Sequence, residues 1–227
     1  MLLALHSQAG KLASAAGAAP EVPASLPLPA NLFIVGTVNV DETTYMFSPK
    51  VLDRANVIEF RPTADQLTDF LDDPGRLNLH ALQDDATGRG LAAGHGAAFV
   101  TQAGADVDLA ALGDTDVPLL KQALLAVFDL LHKHGAEFGF RSAHEMVRFV
   151  VLHKALSGPG WTLAKALDAQ VLQKLLPRLH GSARKLDPVL SDLLAFALLH
   201  SLPDTVDKLQ PMQRRLQSEG FASFAEA

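Results

Sequence analysis

Apolar residues fall along this chain in two kinds of pattern. From residue 32 they run almost continuously, LFIVGTV over 32–38, as a strand does when it is covered on both faces of a parallel sheet. NVIEF at 56–60 is a second short β-branched run, ending before Arg61 and Pro62, where helix and ladder are both disfavoured. Between them, Ser48 and Pro49 predict the cap and first turn of a short helix running to Arg54. From residue 63 the apolar positions are spaced for helices. Thr63 and Gln66 have the T-x-x-Q spacing of a capping box, opening a helix with Leu67, Phe70 and Leu71 on one side. Pro118 to His134 carries a broad apolar face and stops at Gly135, a natural left-handed cap. Ser142 to Glu145 predicts a second capping box, for a helix to about Leu156 that SGPG closes. Further helices are expected over 163–176, over 188–201 with Asp187 as cap and Pro188 in the first turn, and over 205–218.

Two stretches lack this periodicity. Gln8 to Pro29 is rich in Ala, Pro, Gly and Ser and reads as a connector with no core of its own. Asp73 to Val117 holds seven of the sixteen glycines and reads as a surface insertion. The expected organisation is a flexible connector at 1–30, a strand-bearing segment at 31–72, a Gly-rich insertion at 73–117 and a helical domain at 118–227. The fold class is α/β but mostly helical, with two strands at the front and a helical bundle behind.

Composition narrows the partners. A chain of 227 residues that is 48% apolar can bury a real core. Its 25 acidic against 19 basic side chains disfavour a nonspecific grip on nucleic acid by the whole surface. The absence of cysteine excludes disulfides, thiolate catalysis and Cys-ligated zinc, and it fits a reducing cytoplasm. No apolar run approaches the roughly 18 to 20 residues that cross a bilayer, and MLLALHSQAGK lacks the basic start of a secretory signal. A cytoplasmic protein with no membrane partner is expected. His132 and His134 point to different sides of a helix, and His144-Glu145 with His153 lacks zincin spacing, so no metal site is expected. Arg178, His180, Arg184 and Lys185 form a modest basic cluster, read as a solvated loop or as a contact to DNA phosphate.

The candidate chemistry lies in FIVGTVNVDE (33–42), a strand that ends in a carboxamide and two carboxylates. A phosphate-cradling loop needs G-x-x-x-x-G-K-[ST]. The nearest candidate, Gly10-Lys11, has Leu5 in place of the first glycine and Leu12 in place of the hydroxyl. The whole stretch NLFIVGTVNVDETTYMFSPKVLDRANVIEF (31–60) closely resembles the AAA+ nucleotidases of McrBC-type, modified-cytosine-dependent restriction systems, in the McrB-like branch with the GTVN-x-DE signature. That resemblance implies that the strand ending in GTVN is the sensor 1 strand and that Asn39 orients the lytic water and γ-phosphate. It implies that Asp41 and Glu42 lie at the nucleotide-proximal subunit boundary, and that Arg54, in VLDRA, is the arginine finger reaching a neighbouring subunit's nucleotide. FGFRSAHEMVRFV (138–150) resembles the family's F-G-[YF]-R-x-x-x-E-x-x-R-F segment, and LQKLLPRLHGSARKL (172–186) its K-[IL]-L-P-[KR]-L-H-G stretch. By the same resemblance, Arg141 is a sensor 2 arginine acting on its own subunit's nucleotide.

The implied cofactor of the complete module is ATP or GTP with Mg2+, and the implied partners are P-loop-bearing AAA+ protomers in a ring, a nuclease subunit and, indirectly, DNA. The family's P-loop, Walker B strand and first strands would precede residue 1. The resemblance therefore implies the C-terminal portion of an AAA+ module, its last sheet strands followed by a helical lid bundle, inactive as an NTPase alone. From the residues themselves other readings stand beside these: Asn39 as a strand-end turn residue, Asp41 and Glu42 as capping or surface carboxylates, Arg54 and Arg141 as plain surface arginines. The alternative function is a non-catalytic interaction or regulatory module derived from an AAA+ domain.

Overall fold

The computed structural model describes residues 2–4, 25–27, 32, 35–37, 49–52, 54–60, 62–72 and 95–227. In chain order these form β1 (Leu2–Ala4), β2 (Ser25–Pro27), α1 (Pro49–Leu52), α2 (Ala64–Asp72), α3 (His95–Gly104), α4 (Gly113–His132), α5 (Phe140–Ser157), α6 (Leu163–Gln170), β3 (His180–Ser182), α7 (Ala183–Leu199), α8 (Pro203–Glu219) and β4 (Phe221–Ser223). A 3₁₀ turn at Leu109–Leu112 precedes α4, and a π turn at Val171–Leu175 followed by a 3₁₀ turn at Leu176–Arg178 extends α6. Helix dominates the described residues. None of these helices is long and apolar enough to cross a membrane.

The chain divides into two compact units, 1–38 with 78–105 and 39–77 with 106–227. In the first, β1 and β2 pair antiparallel, Leu3 opposite Leu26, and α3 is the one described helix. The second unit contains the core. Val127, Met146, Leu176, Leu190, Leu193, Leu209 and Met212, all fully buried or nearly so, belong to one cluster, and Leu112, Leu120 and Val150 anchor a smaller one. The antiparallel pair β3–β4, with Gly181 opposite Ala222, and the bond from Ala183 N–H to Gly220 C=O (2.9 Å) return the chain after α8 to the start of α7.

Helix ends follow the sequence where glycine or a capping box sets them. Thr63 and Gln66 exchange both bonds of the box, at 3.0 and 3.2 Å. Gly135 adopts φ +66°, with Ala136 N–H on Leu131 C=O (3.0 Å) and Gly135 N–H on His132 C=O (3.1 Å), a Schellman closure. Gly220 ends α8 in the left-handed region.

Several expectations are corrected. Residues 55–60 lie in no helix or strand and have no ladder partner among the described residues, and Ile58 and Phe60 are exposed. Leu32, Val35, Gly36 and Thr37 are likewise in no strand and exposed. The fold is mostly helical, as expected, but its two small strand pairs lie elsewhere than the two expected strands. The helix expected from Pro118 starts earlier, at Gly113. Ser142 is not a cap: α5 begins two residues earlier, after Gly139, and Ser142 is buried in its first turn. Asp187 and Pro188 do not open α7, which starts at Ala183 because Leu186, Val189, Leu190 and Leu193 form one continuous buried face. The N–H that Pro188 lacks would have served Arg184 C=O, at an exposed turn where water can take its place.

Candidate functional site

Asn39, Asp41 and Glu42 lie outside the described residues. Arg54 is exposed, in the turn closed by its own N–H on Val51 C=O (3.0 Å) and by Ala55 N–H on Leu52 C=O (3.3 Å). Arg141 is exposed in the first turn of α5. Neither arginine makes an ion pair among the described residues.

The segments carrying these two arginines are joined by a lysine to which the sequence assigned no role. The side chain of Lys174 is 1% exposed; its ammonium pairs with the Glu145 carboxylate on α5 and donates to Ala55 C=O at 3.2 Å. Two local features aim Lys174 inward and open its neighbour. It sits in the π turn, which adds a residue to the helical circuit and rotates the residues beyond it. Pro177 has no N–H to give Gln173 C=O, and that carbonyl instead accepts Val57 N–H at 2.9 Å. The chain just after Arg54 is therefore held by a side-chain and a backbone contact to the same π turn. Glu145 and Arg141 are four apart on α5 and share a face. Three stretches far apart in sequence, 51–57, 138–150 and 172–178, thus meet at one buried ammonium.

A second buried lysine holds the other end of segment 55–60. Lys208, 5% exposed, pairs with both carboxylate oxygens of Glu59 at 2.8 and 2.9 Å, donates to Ala227 C=O at 2.7 Å, and lies 4.3 Å from the Phe224 ring centre. Burying a cation is costly unless it is paired and fully bonded, so both lysines are committed to holding residues 55–59 on the helices.

Several other charged groups also hold the fold. Arg178 donates to Glu137 C=O at 3.0 Å, so part of the basic cluster is built into the fold, while Arg184 and Lys185 remain exposed. His134 faces Asp192 at 2.9 Å and His132 faces Glu137 at 3.6 Å, on different partners. Asp168 caps α8 from outside it, accepting Asp204 N–H (2.9 Å) and Thr205 N–H (2.8 Å). Burial first, then the charges of Asp168 and Asp207, holds the Asp204 carboxyl above its ordinary value of 3.8. A folded-state value raised in this way contributes stability that is complete below pH 3.8 and is lost as pH rises through the shifted value. Asp204→Asn is therefore expected to raise the thermal midpoint at pH 7 and to leave it unchanged near pH 3, which calorimetry at the two pH values would check.

The sequence flagged Arg54 and Arg141, marked Lys174 and Glu145 only as positions of the family-like stretches with no role of their own, and missed Lys208. A buried lysine carries no pattern that distinguishes it from a solvated one, and Glu145 was absorbed into a capping box that does not form. No curated protein and no solved structure matches the chain. The chain belongs to the family described as "Domain of unknown function (DUF8727)", which matches residues 103–221.

Proposed function

We propose that this chain supplies the arginine finger and lid of an AAA+ nucleoside triphosphatase of the McrB-like restriction type. The observation that carries the reading is the meeting of the three family-like stretches at Lys174, with Arg54 exposed beside that junction. An arginine with no ion-pair partner at an exposed turn keeps its planar fork available to phosphate oxygens.

The residues present fit one part of a nucleotide site. They offer cationic groups that can meet negative charge, but the sequence holds no loop of backbone amides to cradle the phosphates. Bound between protomers, ATP or GTP with Mg2+ would supply the phosphoanhydride that is cleaved. In this reading Arg54 stabilises charge developing on the γ-phosphate of the neighbouring protomer, Arg141 on its own side, and Asn39 orients the attacking water. Asp41 and Glu42 lie at the boundary between protomers. A nuclease subunit and DNA are reached through the ring, not through this chain's own surface.

The test is hydrolysis in a mixed assembly. Added to a P-loop-bearing AAA+ protomer from the same host, the chain is expected to raise ATP or GTP turnover, and Arg54→Ala is expected to remove the gain, by about a thousandfold if the arginine acts as fingers do elsewhere, while the complex stays intact on gel filtration. An assembly that forms but turns over nucleotide equally with and without Arg54 would replace this reading with the non-catalytic interaction module.

A further inference from the structure

Arg54 has no ion-pair partner among the described residues to fix its direction, but its neighbour is held. Ala55 C=O accepts from the Lys174 ammonium, and two residues on Val57 N–H donates to Gln173 C=O, next to Lys174 in the same π turn. Lys174 is in turn tied to α5 through Glu145. We propose that Lys174 is the positioning residue for Arg54: its ammonium clamps the chain after Arg54 to α5, so that the two arginine-bearing elements move as one. The part that concerns turnover rests on the reading of Arg54 as an arginine finger; the clamp itself does not.

Two chemical features make this more than a packing contact. A lysine 1% exposed has only the acceptors around it to compensate its charge, so losing either Glu145 or Ala55 C=O raises the cost of keeping it there. The segment 55–60 buries little apolar side-chain surface of its own: Asn56, Ile58 and Phe60 are exposed, and Val57, half-buried, packs against the core. Its position rests on Val57 and on these polar contacts, and the polar contacts can be removed singly while Val57 stays in place. At the far end Lys208 and Glu59 form a separate attachment, so the two clamps are separable by mutation.

Lys174→Met keeps most of the stem and removes the charge. In the full chain, amide exchange at Val57 is expected to speed up on the order of tenfold in this variant while Leu190 and Leu193 in α7 stay as protected as before, the signature of a local opening. Glu145→Gln keeps an acceptor but not its charge and is expected to speed Val57 less; it also decides the matter if the lysine variant fails to fold. Lys208→Met is expected to leave Val57 unchanged. In the mixed hydrolysis assay, Lys174→Met is expected to lower kcat like Arg54→Ala with KM unaltered, and the double variant to be no worse than Arg54→Ala alone. Unchanged exchange at Val57 in both clamp variants, or exchange there only together with Leu190, overturns the clamp. Losses that multiply in the double variant overturn its action through Arg54. If Arg54→Ala leaves turnover untouched, the arginine-finger reading falls, and the exchange measurement still decides whether Lys174 holds the segment.

Discussion

Asp168→Ala is expected to lower the unfolding free energy by about 3 kcal/mol, the sum of one lost buried cap and one partly exposed one. Asp168 lies near the end of α6 and is 3% exposed. Its two oxygens take the N–H groups of Asp204 and Thr205, and Thr205 Oγ1 donates back to Asp168 C=O at 3.4 Å. Leu202, which precedes α8, provides no side-chain cap, and Pro203 at the first position has no N–H to satisfy. Asp168 is thus the cap of α8, supplied from 36 residues upstream. The two donors differ in what their loss costs. Asp204 is exposed and water can replace the carboxylate there, whereas Thr205 is fully buried and its N–H would be left with nothing.

Removing Asp168 also relieves the repulsion felt by Asp204, which offsets part of the loss at neutral pH. Asp168→Asn keeps one acceptor but turns an amide donor toward a backbone donor, and about half the loss is expected. Urea unfolding at pH 7 measures both; a change in midpoint without a change in slope would mark it as a stability effect. A loss below about 0.5 kcal/mol, the range of ordinary surface substitutions, would contradict this account of the cap.

That cap shows why some of the fold could be read in the sequence and some could not. Local signals held where the physics is local. Thr63 and Gln66 need only each other, Gly135 needs only to adopt positive φ, and the apolar spacing of α4 and α8 needs only a core somewhere. Local signals failed where a distant partner competed. The Ser142–Glu145 box lost because Glu145 pairs with Lys174, 29 residues on, and Ser142 packs inward. Pro188 reads as a helix start, yet burial of Leu186 on the same face as Leu190 and Leu193 carried α7 back to Ala183. NVIEF has strand chemistry, but where a strand would be needed its Val57 N–H meets the Gln173 carbonyl, its Glu59 carboxylate meets Lys208, and the carbonyl of Ala55 just before it meets Lys174.

For the candidate site the same division holds. Arg54 and Arg141 were singled out by a resemblance and not by any spacing of their own. The groups that organise their surroundings act over 119 and 149 residues of sequence separation, from Lys174 to Ala55 and from Lys208 to Glu59, and no spacing rule spans such distances.

Lys208→Met is expected to cost about 2 kcal/mol, below the roughly 3 to 5 kcal/mol typical when a buried pair loses one member. The reduction follows from geometry. Lys208 is 5% exposed but Glu59 is 27% exposed, so the carboxylate that loses its cation can still turn toward water. Methionine retains the apolar stem against Phe224, whose ring lies 4.3 Å from the ammonium. It cannot replace the bond to Ala227 C=O, through which α8 also holds the residues after β4. If the cost arises from a stranded carboxylate, Glu59→Gln added to Lys208→Met should recover about half of it, so that the coupling energy in a double-mutant cycle is about 1 kcal/mol plus whatever Glu59→Gln costs alone. If it arises from lost packing, the two substitutions will add. Urea midpoints of the four proteins separate these outcomes. The additive result would mean that Lys208 holds residues 55–60 by shape and not by charge, leaving Lys174 as the electrostatic attachment of that segment.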